Sequence, residues 1–268
     1  MPDLIDHIKK KIKNKEFTAD VQGCSFEQHK LIRVHAVKKA FTDVSFKQSV
    51  LNNCYFRNCT FIRCDFTGAH IKETNLRGTK FSDCKFAYAT WEHSQLEQNF
   101  LKSCLPAEYN LARDMIRSLR VNFSQIGNCE AVNKAASMEV QLTGKHLYNA
   151  AYSKQSYYRT KYTGFERVMY GLRHVQWKFL ELLWGNGESI YRVAQSSVVV
   201  ILLAALLLFV RTNATLSLWD ALRISVLEFW GLETSLQLDN SLALLLAISR
   251  LILFGLFMAI LVKRLSRR

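Results

Sequence analysis

From Phe26 onward, every fifth residue is apolar: Phe26, Leu31, Ala36, Phe41, Phe46, Leu51, Phe56, Phe61, Phe66, Ile71, Leu76, Phe81, Phe86, Trp91 and Leu96. A period of five matches neither the two-residue repeat of a strand nor the 3.6-residue repeat of a helix. Two residues before each member lies a second column: Cys24, His29, Val34, Lys39, Val44, Ser49, Cys54, Cys59, Cys64, Ala69, Thr74, Thr79, Cys84, Ala89 and Ser94. All of these except His29 and Lys39 are small or β-branched. The two exceptions predict an irregular coil near residues 29–40. The densest run is CYFRNCTFIRCDF, residues 54–66, where Cys54, Cys59 and Cys64 precede Phe56, Phe61 and Phe66.

Seven cysteines invite a metal or disulfide reading, but none forms a CxxC pair. A zinc site needs closely spaced ligand pairs. Cysteine at a regular inward position acts more often as a small buried hydrophobe, which fits a reducing compartment. Cys54, Phe56, Cys59, Phe61, Cys64 and Phe66 are therefore read as repeat core. The opening MPDLIDHIKKKIKNK is too charged for a signal peptide.

These columns, with NLRGTKF at residues 75–81, resemble the pentapeptide-repeat family over about residues 19–101. The resemblance implies a right-handed quadrilateral β-helix, with one pentapeptide per face and four per coil. An open-ended solenoid needs caps, and LIDHIKKKIKNKEF is expected to supply a helical one. Some members of that family mimic DNA as acidic rods. Lys30, Arg33, Lys38, Lys39, Lys47, Arg57, Arg63, Arg77, Lys80 and Lys85 make this tower basic, in a chain of net charge +14. Mimicry is not expected. The charges spread over all faces, so a nucleic-acid partner is not expected either.

From Leu105 the five-residue register is lost. Leu111, Met115, Ile116, Leu119 and Phe123 recur at helical spacing. Ala131, Ala135, Met138 and Leu142 do the same after Gly127 and Asn128. The pair resembles a single tetratricopeptide-like hairpin and is expected to be a spacer or docking piece. FERVMYGLRHVQWKFLELLWGNG carries a broad apolar face with Arg167, Arg173, Lys178, Trp177 and Trp184, which reads as an interfacial helix lying on a membrane.

VAQSSVVVILLAALLLFV, residues 193–210, carries no charge, and SLALLLAISRLILFGLFMAILV, residues 241–262, carries only Arg250. Each is long enough to cross a bilayer. The terminal KRLSRR and the basic soluble region place both termini in the cytoplasm by the positive-inside rule. Between the spans, Leu218, Leu222, Val226 and Phe229 have helical spacing on a segment too short to cross, as in a re-entrant half-helix. With GNGESIYRV and LWDALRIS, residues 185–265 resemble the two-transmembrane ion channel family. Its potassium-selective members end the pore helix in a Gly-Tyr-Gly filter. Here EFWGLETSL keeps only Gly231, so Glu228, Phe229, Trp230, Gly231, Leu232 and Glu233 are the filter candidates. Glu228 or Glu233 would form an acidic ring in a tetramer; alternatively both face water or pair with Arg223. Arg250 partners an acidic pore residue, lines the pore or snorkels, and Gly255 is a hinge or packing contact.

No phosphate-binding glycine loop, HExxH or GxSxG motif is present, so neither an enzyme nor a cofactor is expected. The expected architecture is mixed and multi-domain. It comprises an N-terminal cap at 1–18, a pentapeptide β-helix at 19–104, a helical connector at 105–160 and an interfacial helix at 161–190. A two-span pore domain follows at 191–268, with spans at 193–211 and 241–263 and a pore helix at 217–230. The expected function is an oligomeric, tetrameric cation pore in a bacterial inner membrane, with its β-helix as a sensor for a cytoplasmic protein or ligand. The alternatives are a non-conducting membrane scaffold and a depolarising effector pore in a stress or defence response.

Overall fold

The computed structural model describes residues 10–102, 104–212, 215–232 and 240–265 of the 268-residue chain. It divides into two compact units, Met1–Arg159 and Thr160–Arg268.

The first unit is built on a parallel β-solenoid of about four turns. Its strands are β1 Lys10–Lys13, β2 Val21–Gln22, β3 His29–Ile32, β4 His35–Val37, β5 Ala40–Thr42 and β6 Val50–Asn52. They continue with β7 Tyr55–Arg57, β8 Thr60–Ile62, β9 His70–Lys72, β10 Lys80–Ser82 and β11 Thr90–Glu92. One face stacks β1, β3, β6, β9 and β11, a second β2, β5, β8 and β10, and a third β4 and β7. Bridges Ser25↔Ser45, Ser45↔Asp65 and Asp65↔Lys85 hold the fourth. Leu31 pairs with Leu51, Leu51 with Ile71 and Ile71 with Trp91, a shift of twenty residues each time. Four five-residue faces therefore close one coil.

Side-chain volume and backbone hydrogen bonding together explain the repeat. The central residues form stacked ladders: Phe41–Phe61 at 4.8 Å, Phe61–Phe81 at 5.3 Å, Phe46–Phe66 at 4.8 Å and Phe66–Phe86 at 4.8 Å between centroids. Adjacent faces meet edge to face, as in Phe61–Phe66 at 72°, a geometry aromatic rings favour. Cys54, Cys59 and Cys64 are buried as expected, and they also serve as donors. Their sulfurs lie 3.5, 3.4 and 3.3 Å from the carbonyls of Leu31, Ala36 and Phe41, one coil back. Thr79 and Ser94 do the same for Phe56 and Ile71. Where the Phe46, Phe66 and Phe86 carbonyls instead accept a turn N–H from Ser49, Ala69 and Ala89, alanine suffices in the column. The column is thus small at most levels, and at Cys54, Cys59, Cys64, Thr79, Cys84 and Ser94 it also donates to a carbonyl one coil back.

Two expectations for this region are corrected. Residues 10–13 are strand β1, not helix. An exposed β3 edge offers backbone partners that an isolated helix would forgo. Ile12 pairs with Leu31, nineteen residues on rather than twenty, so one residue is dropped before Val21 and the five-step count starts afresh. The coil through residues 29–40 is regular, because His35–Val37 and Ala40–Thr42 keep the twenty-residue shift to Tyr55–Arg57 and Thr60–Ile62. His29 and Lys39 fit by remaining half-buried.

A short 3-10 helix, Gln98–Lys102, leads to α1 Tyr109–Gln125, α2 Cys129–Tyr152 and α3 Ser156–Lys161. Helix α1 closes the far end of the solenoid. Its Ser118, Asn122 and Gln125 lie on one helical face and accept the N–H groups of Trp91, Ser94 and His93. Buried Asn122 also donates to the Ser94 carbonyl at 2.8 Å. Met115, Ile116, Leu119 and Phe123 join the same apolar core. The hairpin expected to be a spacer begins with the solenoid's cap.

The second unit contains α4 Gly164–Trp184, α5 Ile190–Arg211, α6 Leu218–Trp230 and α7 Asn240–Leu265. Helices α5 and α7 are long and apolar enough to cross a membrane, with only 22% and 17% of their apolar windows buried. Three consecutive left-handed residues, Gly185, Asn186 and Gly187, turn the chain between α4 and α5. Lys263, near the end of α7, binds the Gly187 carbonyl at 3.0 Å and the Glu188 carboxylate.

Candidate functional site

Outward side chains on the solenoid also stack at twenty-residue intervals, so charge falls into columns. Two columns are compensated. Arg63 makes two 2.7 Å hydrogen bonds to Asp43, one coil below, and this bonding holds the Asp43 carboxyl below its ordinary range. Lys72 meets Glu92 at 2.8 Å, which lowers Glu92 in the same way.

One column differs. Arg57 and Arg77 sit one coil apart, registered by the Asn58 N–H donating to the Arg77 carbonyl at 2.9 Å. Both are exposed, and among the described residues neither enters an ion pair. They line a groove of about 600 Å³ shared with Gly78, Glu97, Gln98 and Asn128. Gly78 has φ +70°, and a Cβ there would overlap the Asn58 carboxamide, so glycine keeps the groove wall open. Asn128 forms the far rim, its side chain accepting the Ala131 N–H at 3.0 Å to start α2. Stacked like charges repel. An anionic group between them would relieve that repulsion with charge-assisted hydrogen bonds. The sequence reading spread the basic residues over the surface and missed this pair; the available signal was arginine recurring at a spacing of twenty.

In the second unit, α6 is a helix over the segment read as a half-helix. Ser217 caps its start by accepting the Asp220 N–H at 3.1 Å. Gly231, at φ +74°, ends it, with its own N–H and that of Leu232 returning to the Glu228 and Leu227 carbonyls. Ala221, Ile224, Ser225 and Phe229 are buried; Glu228 is half-buried, and Trp230, Gly231 and Leu232 are exposed. No ion pair joins Glu228 to Arg223 among the described residues. Glu233 lies outside them. Arg250 packs on the Gly231 backbone so closely that a Cβ on Gly231 would overlap its guanidinium. The structure thus brings Gly231 and Arg250 together, at the carbonyl end of α6, where a cation is favoured. Gly255 is exposed on α7 with open space around it.

Residues 37–111 match the sequence family described as Pentapeptide repeat region. No curated protein matches the chain. Among solved structures, a pentapeptide repeat protein from the cyanobacterium Cyanothece is similar at 12% identity and TM-score 0.16, over 27% of this chain and 63% of that one. A pentapeptide repeat protein from the Arabidopsis thaliana thylakoid lumen is similar at 25% identity and TM-score 0.11, over 30% of this chain and 51% of its own. The chain therefore spans less than two thirds of the length of either. The pentapeptide region covers the solenoid from Val37, the last residue of β4, and ends within the first turn of α1.

Proposed function

We propose that the chain is a membrane-anchored docking protein whose β-solenoid binds an acidic segment of a partner protein. The exposed Arg57–Arg77 pair in its groove carries this reading, because neither arginine enters an ion pair among the described residues, whereas Arg63 and Lys72 do. Helices α5 and α7 act as the anchor. Their length, apolar character and low burial support this, and Lys263 and Arg264 at the end of α7 favour a cytoplasmic face. No catalysis is proposed. The test is binding of a fluorescent Asp/Glu-rich peptide to the full chain in detergent. Affinity should fall steeply with salt and drop at least tenfold in Arg57→Glu/Arg77→Glu, while Arg63→Glu changes it little. Equal binding by both variants would overturn the assignment.

Helix α6 favours a second reading, in which several copies, four in the simplest symmetry, assemble into a cation-permeable pore. A capped half-helix between two spans is the support for it. Arg250 at the carbonyl end of α6 works against it, because a resident cation takes the place where a permeant one would be attracted. Planar-bilayer recording separates the readings. Wild-type currents that change in selectivity in Arg250→Gln would establish the pore, whereas silent membrane-inserted protein would leave the anchor.

A further inference from the structure

Helix α4 fully buries none of its side chains. Phe165, Val168, Leu172, Val175, Phe179 and Leu182 recur at spacings of three and four and are all exposed. They form one apolar stripe, about 25 Å long at the rise of an α-helix. Arg167, Arg173 and Lys178 lie off the stripe on either side, against Glu166 and Glu181. Arg173 stacks on the Tyr170 ring at 5.5 Å and Lys178 on Trp177 at 5.4 Å. The helix is tied to its unit through its last turn. Ser196 of α5 donates to the Leu183 carbonyl at 2.8 Å, and Arg192 donates to the Glu181 carbonyl. Lys263 and Arg264, in the last turn of α7, donate to the Gly187 and Glu188 carbonyls, both at 3.0 Å. Helix α4 therefore departs from the level at which α7 ends. Between its last turns and α5 runs an apolar crevice of about 660 Å³, whose walls include Phe179, Leu182, Tyr191, Gln195, Val198 and Val199.

We propose that α4 lies along the surface of an anionic bilayer leaflet, its apolar stripe among the acyl chains, with one phospholipid chain filling the crevice against α5. The inference rests on the reading of α5 and α7 as the membrane anchor. With those helices crossing, the end of α7 marks the headgroup layer, and the turn bound by Lys263 and Arg264 starts α4 at that depth. Val198 and Val199, which wall the crevice, are exposed on α5, so one apolar surface continues from the span onto the stripe. The crevice has the volume of a small-ligand site. Three basic side chains against two acidic ones give α4 a positive balance. An anionic leaflet complements that balance, whereas a second copy of α4 would repeat it. Arginine and lysine stems can cover apolar surface while their charges reach headgroup phosphates, and Tyr170 and Trp177 suit the same layer. Leaflet charge, and not insertion of the spans alone, would then set how firmly α4 is held.

The test reconstitutes the full chain into vesicles of phosphatidylcholine alone, or of phosphatidylcholine and phosphatidylglycerol in equal parts. Both contain a trace of phosphatidylcholine with a photoactivatable diazirine on its acyl chain, and labelled peptides are mapped by mass spectrometry. Helices α5 and α7 should be labelled in both vesicles, which reports the anchor. Phe165, Leu172 and Phe179 should be labelled as well, about threefold more strongly relative to α5 when phosphatidylglycerol is present, while His174 on the other face is spared. Leu172→Glu/Phe179→Glu should cut α4 labelling about fivefold and leave α5 unchanged. Arg173→Glu/Lys178→Glu should abolish the gain from phosphatidylglycerol. Labelled α5 and α7 with unlabelled α4 would overturn this inference and leave the anchor standing. Equal α4 labelling in the two vesicles would overturn the preference for an anionic leaflet. Absence of label from all three helices would remove the anchor and this inference with it.

Discussion

Phe61 touches five other rings, stacking on Phe41 and Phe81 and meeting Phe46, Phe56 and Phe66 at an angle. Truncation leaves a cavity that parallel strands on four sides cannot close. Phe61→Ala is therefore expected to cost about 3–5 kcal/mol in chemical denaturation monitored on the solenoid, and Val37→Ala, on an exposed strand position, under about 1 kcal/mol. Gly78→Ala combines a left-handed backbone with overlap on Asn58 and should cost about 1–3 kcal/mol. Adding Asn58→Ala should recover the steric part and leave the backbone part, a non-additivity that a double-mutant cycle measures. The ladders were legible at this scale because burial imposes a strict apolar period. The corners were not. Arg33, Lys38, Arg63, Glu73, Tyr88 and His93 all have positive φ, yet their side chains carry no glycine-like signal. The stacked coils on either side impose that conformation against local preference.

Among the elements, α1 shows how a helix can end a solenoid. Its Ser118, Asn122 and Gln125 replace the strand that the last coil lacks. Asn122→Leu keeps a comparable volume but strands the buried Ser94 N–H and carbonyl, so about 2–4 kcal/mol of stability should be lost. Protection of the Ser94 amide in hydrogen exchange should fall with it. The helical spacing of Met115, Ile116, Leu119 and Phe123 made the helix legible, but its partner was not, because a polar residue on a buried helical face looks like an interruption until an unpaired strand edge is placed against it. The same blindness made Lys10–Lys13 look helical: spacing alone does not report that β3 has an open neighbour. Gly231 and Arg250 were each singled out, and their contact was not, because nothing in the linker between them fixes the level at which α6 ends against α7.

The whole molecule divides into a unit whose register is strict and a unit whose outer surface is apolar. In the first, apolar residues are enclosed, and one core runs continuously from Phe17 to Leu142. In the second, Phe165, Leu172, Phe179 and Leu182 of α4 and Leu203, Leu206, Leu251 and Phe254 of the long helices remain exposed, so solubility should divide the chain where its compact units do. Residues 1–159 expressed alone are expected to stay monomeric in aqueous buffer and to unfold in a single cooperative transition by circular dichroism. Residues 160–268 should require detergent. The first outcome follows from a capped core, the second from apolar area that water would otherwise meet.

The twenty-residue coil also makes the solenoid an indexing device. Duplicating one full coil would raise the cap by a strand spacing and leave its heading unchanged. Adding a single pentapeptide would turn everything beyond it by a quarter revolution, carrying the α1–α2 hairpin and the rim that Asn128 contributes to a different side of the tower. Changes of length are thus also changes of direction, and only multiples of four repeats leave the direction as it was.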